Sequence, residues 1–161
     1  MIKRTDGQPI PKPSEYKLDR SKYDYESDFI RSDCVYVWRY TGSQSVKLDN
    51  AFMRFSEDGI FEAQSRDQRP LSARIFSDPI RSTHGVYAVV NDSTLVLDYY
   101  TNIDNTFSRD YGRLRKGGIK LYKTVHIPWG GRSDLKHELV PKKVEYLDQY
   151  PLVYPGQSML E

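Results

Sequence analysis

Cysteine is almost missing from this 161-residue chain, Cys34 being the only one. That excludes an internal disulfide and a thiolate zinc cage. Its neighbours Val35, Tyr36 and Val37 mark it as a buried core thiol rather than a nucleophile, since free cysteine is among the most buried residue types. Histidine is scarce as well: His84, His126 and His137 share no fixed spacing and make no zinc signature. His84 opens one expected strand and His126 closes another, ends that a meander can bring together; a metal or acid–base argument goes no further. The net charge is only +2, too little to imply nucleic acid by itself. No apolar run approaches the length of a transmembrane helix, and no segment reads as a helix longer than two turns. No signal peptide is legible, because Met1, Ile2, Lys3 and Arg4 lead into polar sequence. Two readings stand there: a cytosolic protein, or a chain that begins after a removed signal.

Catalytic signatures are missing too. No nucleophile elbow frames a serine. The paired glycines Gly117-Gly118 and Gly130-Gly131 are not followed by a helix, so no phosphate loop is expected. General acid–base chemistry needs a carboxylate in an environment that shifts its pKa. The acid pairs Glu57 with Asp58 and Asp104 with Asp110 are expected in turns or loops, where they serve solubility and turn formation. Asn91-Asp92-Ser93 matches a glycosylation sequon, but its role as a turn is sufficient explanation. No catalytic residue, metal or cofactor is therefore expected, and the chain is not read as an enzyme. Hydrophobic residues make up 38% and charged residues 29%, which suits a globular domain with a real core.

What the chain does contain is hairpins. Residues 85–90 are β-branched and aromatic, Asn91-Asp92-Ser93 supplies turn residues, and 94–101 resumes an apolar run. Side chains alternate along a strand, so Leu95, Leu97 and Tyr99 share one face and Val96, Asp98 and Tyr100 the other. A second hairpin turns at Lys116-Gly117-Gly118, with Ile119, Leu121 and Val125 expected on one face and Lys120 and Tyr122 opposite. A third turns at Asp58-Gly59. One covered face and one wet face are expected. Strands are expected near 34–40, 47–55, 60–66, 85–90, 94–101, 110–116, 119–125 and 138–146, with a further brief strand allowed at 73–76. Pro141 should sit at an edge or a bulge. Met53, Phe55, Val86, Leu95, Leu97, Leu114, Ile119 and Leu121 are the expected core.

Short strands joined mostly by hairpins describe an all-β, antiparallel up-and-down meander, and closure into a barrel is the economical way to remove its edges. The expected layout is an extended leader at 1–32, the barrel domain at 33–147 and an extended tail at 148–161. The leader and tail carry prolines and spaced tyrosines without a sustained period. A disordered linker and an arm lying on the domain or on a partner are both compatible with that composition.

The runs MRFSEDGIFEAQS, GVYAVVNDSTLVLDYY and LRKGGIKLYK resemble the lipocalin-like small barrel domains of bacterial envelope (lipo)proteins. The resemblance rests on Phe55 before the Asp58-Gly59 turn, on Gly85 with Tyr87, on the Asn91 turn and on Leu95 with Leu97. It covers roughly residues 34–125, and the Gly-x-Trp of typical lipocalins is missing before Trp38. It implies a barrel and a place in the cell envelope in preference to the cytoplasm, and it allows membrane association through a removed or replaced lipid anchor.

Three functional expectations follow. The first is a non-catalytic accessory module, a subunit of a bacterial envelope complex, that binds a protein partner through its arms. Its contacts would be Tyr16, Tyr23, Tyr25 and Phe29 in the leader, Tyr150 and Tyr154 in the tail, and the basic face of Arg113, Arg115 and Lys120. On this expectation the barrel folds without residues 1–30. The second is a carrier of a small apolar ligand, with Met53, Tyr99 and Leu121 lining the interior. The third is a barrel for single-stranded nucleic acid, ranked last because acidic residues nearly match basic ones, 22 to 24.

Overall fold

The computed structural model describes residues 1–4, 8–19, 29–39, 51–64, 82–101, 105–127, 130–145 and 147–155. It contains β1 (Ile2–Lys3), β2 (Pro9–Ile10), β3 (Cys34–Arg39), β4 (Phe52–Phe55), β5 (Ile60–Gln64), β6 (Ser82–Val90), β7 (Thr94–Thr101), β8 (Thr106–Arg115), β9 (Gly118–Ile127) and β10 (Arg132–Lys143). Strands β3 to β10 pair with their sequence neighbours, all antiparallel, and β10 pairs with β3 to close an eight-stranded up-and-down barrel. The expected fold class is the one present. Residues 47–50 of the strand expected at 47–55, and the whole of the strand allowed at 73–76, lie outside the described residues, as does Asp104.

Turn chemistry sets the tight end of this barrel. Asn91 and Asp92 both take positive φ, 52° and 60°, the backbone of a type I′ hairpin that short polar side chains tolerate. Pro141, expected at an edge or bulge, pairs with Tyr36 of β3, but the pairing of β9 with β10 ends at Leu139 opposite Ile119. Proline therefore sits where β10 has lost its second neighbour, and its missing N–H costs no ladder bond on that side.

Alternation sends Cys34, Tyr36, Met53, Phe55, Phe61, Tyr87, Leu95, Leu97, Leu114, Ile119, Leu121 and Leu139 into one interior cluster. Near the tight turns it is packed ring on ring: Phe55 meets Tyr87 edge-on at 5.0 Å between centroids and Tyr36 at 5.5 Å. Gly85 is required here. A Cβ at that position would fall 2.1 Å from the Asp98 carbonyl oxygen and 2.5 Å from the Phe61 ring, which lies over the glycine.

Two corrections concern faces. Val125 does not share the face of Leu121, because the β8–β9 register shifts between Tyr111 and Gly112 and leaves Tyr122 unopposed. A bulge of one residue inverts the alternation beyond it, which brings Thr124 inward in place of Val125. Val86 is buried as expected, but on the outside of the barrel.

That burial arises because the outer face is not uniformly wet. The terminal segments form a second layer over part of it. Ile10, Tyr16, Leu18 and Tyr154 pack with Ile60, Val86, Ala88 and Val96. Val144 and Leu147 cover Val35 and Phe52, with Tyr150 against them. Beneath these segments lies a buried polar row. Arg54 Nε donates to Glu62 Oε2 at 2.7 Å, and Glu62 Oε1 accepts from Gln64 Nε2 and Ser82 Oγ. Arg54 also reaches the Tyr150 carbonyl, and Arg4 donates to the Ser82 carbonyl. Burial alone would raise the Glu62 pKa, but the charge of Arg54, His84 and the hydrogen bonds hold it below the ordinary carboxylate value. Tyr16 and Tyr154, expected as anchors for a partner, have their rings committed to the chain's own barrel.

Candidate ligand site in the barrel interior

At the end of the barrel away from the tight turns the side chains thin out, and a cavity of about 250 Å³ remains. Its apolar wall comes from Trp38 on β3, Met53 on β4, Phe61 and Ala63 on β5, Leu97 on β7, Leu121 on β9 and Leu135 on β10. Its polar wall comes from Thr83, Tyr99, Asp110, Thr124 and His137. Small residues make the room: Ala63 pairs across to Thr83, where larger inward side chains would close the space.

The centre of the polar wall is Asp110, 9% exposed. Thr124 Oγ1 donates to Asp110 Oδ1 at 2.6 Å and Tyr99 Oη donates to the same oxygen at 3.1 Å. Burial pushes the Asp110 pKa up, and these two hydrogen bonds only partly offset it. Burial and the neighbouring carboxylate likewise push the Tyr99 phenol up. His126 Nδ1 lies 3.1 Å from Ser108 Oγ, and the His137 ring meets Trp38 edge-on at 6.1 Å. The site thus offers an apolar sleeve with one carboxyl group and several hydroxyls at one side.

The three expected ligand-lining residues, Met53, Tyr99 and Leu121, all border this cavity. The expected partner-binding residues are scattered. Tyr16 and Tyr154 are buried under the terminal segments, Tyr150 is half-buried, and Phe29 is exposed. Arg113 and Arg115 are exposed and Lys120 half-buried on the outer face of β8 and β9, with Arg113 directly opposite Lys120. Tyr23 and Tyr25 lie outside the described residues. The histidines do not converge as the strand ends suggested. His84 faces outward beneath the terminal segments, in edge contact with Tyr154, while His137 lines the interior.

Asp110 corrects the expectation of a turn carboxylate serving solubility. It lies mid-strand in β8, in phase with Gly112 and the core residue Leu114, and that phase was legible. Thr124 was not, because only the bulge at Tyr122 turns it inward. A larger groove of about 640 Å³ lies outside the barrel between the 56–58 turn and the C-terminal segment. Its walls carry charges of both signs, and Arg54 at its floor is already held by Glu62, so the interior is the better defined site.

Among the described residues no group of three or more His, Cys, Asp or Glu side chains is placed to hold a metal ion, and no helix is long and apolar enough to cross a membrane. Comparison of the chain with protein-family models, with curated proteins and with solved structures finds no match in any of the three.

Proposed function

We propose that this chain is a non-catalytic, lipocalin-like binding module that holds a small, largely apolar ligand inside its barrel. The observation that carries this reading is the half-packed interior: one end filled by interlocking rings, the other left as a cavity of about 250 Å³. Ligand sites are typically concave, mostly apolar and supplied with a few polar groups, and run upward from roughly 300 Å³. This cavity lies just below that range and suits a compact ligand rather than a fatty chain. The test uses a methyl-labelled methionine sample titrated with small neutral aromatics such as indole and 2-phenylethanol. A saturable shift of the Met53 methyl resonance is expected, and its loss in Ala63→Phe, which fills the cavity. No shift with any probe refutes the reading.

A second reading keeps the chain as an accessory subunit of a bacterial envelope complex that docks a protein partner. The favouring observation is the Arg113, Arg115 and Lys120 face, which stays on the outside of the barrel where Tyr16 and Tyr154 do not. The resemblance of the hairpins to envelope barrel domains supports the location. Co-purification of a partner from envelope fractions, lost in Arg113→Glu with Arg115→Glu, tests it; unchanged recovery with the variant moves the interface elsewhere.

A further inference from the structure

We propose that the interior site selects a small protonated amine with an aromatic or alkyl body, through Asp110. The inference rests on the reading of the interior as a ligand site and adds the charge of its occupant.

Three acidic side chains are buried among the described residues: Glu62, Asp98 and Asp110. Two have an arginine. Glu62 pairs with Arg54 at 2.7 Å, and Asp98 takes Arg109 in a two-point fork at 2.5 and 2.8 Å. Asp110 has no cationic partner among the described residues. Its two hydrogen bonds, from Thr124 and Tyr99, both end on Oδ1, so Oδ2 takes none from a described residue. A buried carboxyl group is ordinarily paired or fully hydrogen-bonded, because removing it from water is costly. Here the group borders a cavity, and the missing partner fits there.

The surroundings favour a cation over other donors. Trp38, Phe61 and Tyr99 contribute aromatic walls to the same cavity, and a ring face attracts a cation. His126 and His137 act on Asp110 electrostatically in the direction that favours its charged form, but neither forms an ion pair with it. The volume equals roughly eight waters at about 30 Å³ each. It takes an amine of the size of phenethylamine and excludes a long-chain one. A single carboxyl group with no further acidic neighbour in the cavity suits a monovalent ammonium rather than a divalent ion.

Phenethylamine and 2-phenylethanol have the same body and differ in the terminal group. Calorimetric titration of the full chain with each at pH 7.5, and the Met53 methyl resonance followed in parallel, tests the proposal. The amine is expected to bind at least tenfold more tightly than the alcohol and to shift Met53. Asp110→Asn is expected to erase that preference. Equal or tighter binding of the alcohol overturns the amine proposal and leaves the ligand-site reading standing. So does an amine preference that survives in Asp110→Asn, or amine binding that leaves Met53 unmoved. If neither compound nor any neutral aromatic binds, the ligand-site reading itself falls and this proposal with it. The amine–alcohol comparison needs only the unaltered chain, so it decides even if the variant does not fold.

Discussion

The hydroxyl groups of Tyr16 and Tyr154 meet at 2.8 Å although 138 positions separate the two residues. Tyr154 donates to the Pro11 carbonyl, and Tyr16 lies within 3.3 Å of the His84 carbonyl. Both ends of the chain are therefore pinned to each other and to β6. Both phenol pKa values are pushed up, first by burial, so neither hydroxyl loses its proton near neutral pH.

The terminal segments should accordingly be needed for stability. Removing residues 1–30 bares Ile60, Val86, Ala88 and Val96 and strips away the burial of Ile10, Tyr16 and Leu18. At roughly 1.5–3 kcal/mol for each large side chain, the loss should be on the order of 5 kcal/mol. The milder Tyr154→Phe keeps the ring and loses the hydroxyl, for an expected cost of about 1–3 kcal/mol. Urea denaturation measures both. A truncated chain as stable as the full one would show that the second layer contributes nothing.

Leu97 is fully buried in the interior cluster, opposite Tyr87 on β6. Leu97→Ala should cost about 2–5 kcal/mol, the range for removing a packed core leucine. Because Leu97 also borders the cavity, the variant should enlarge it and shift the size preference toward bulkier aromatics. A loss below about half a kcal/mol would contradict the packing described for β7.

Gly85→Ala tests the close contact of β6 with Phe61. The added methyl would fall 2.1 Å from a backbone oxygen, which cannot rotate away as a side chain can. Overpacking of this kind typically costs about 1–3 kcal/mol. A melting temperature equal to that of the parent would mean the strands separate freely at this point.

Acid should destabilise the protein in a window set by His84. Burial lowers its pKa from the usual 6.5 to about 4, against the opposing charge of Glu62, while Arg4 and Arg54 push further down. Between these values the unfolded chain binds a proton that the folded chain refuses. Stability is therefore complete above about pH 6.5 and declines as pH falls toward 4, by on the order of 3 kcal/mol. Glu62, held low by Arg54, adds loss of the same sign at lower pH. Asp110, held high by burial, works in the opposite direction, since its protonation favours the fold. Stability measured from pH 7 to 4 should slope less in His84→Gln than in the parent. An unchanged slope would remove His84 as the cause.

The strands of this barrel were legible because their cause is local. Asn91-Asp92 and Asp58-Gly59 dictate turns from within four residues, and the alternation of Leu95, Leu97 and Tyr99 names the inward face before any partner strand is known. Even Asp110 could be placed inside by counting back from Leu114 in steps of two. What only the tertiary structure decided is everything that depends on contacts far apart in the chain. The phase of Thr124 reverses through a bulge whose position depends on how β8 and β9 register. The tyrosines of the two ends look identical in sequence whether they serve a partner or their own barrel. Tyr16 and Tyr154 fall to the barrel because the meander pairs β5, β6 and β7 side by side, building an apolar outer patch with a row of buried polar groups that no single strand displays. The cavity is also a property of the closed sheet: its volume is what remains after side chains from all eight barrel strands have met, and it exists in none of them alone.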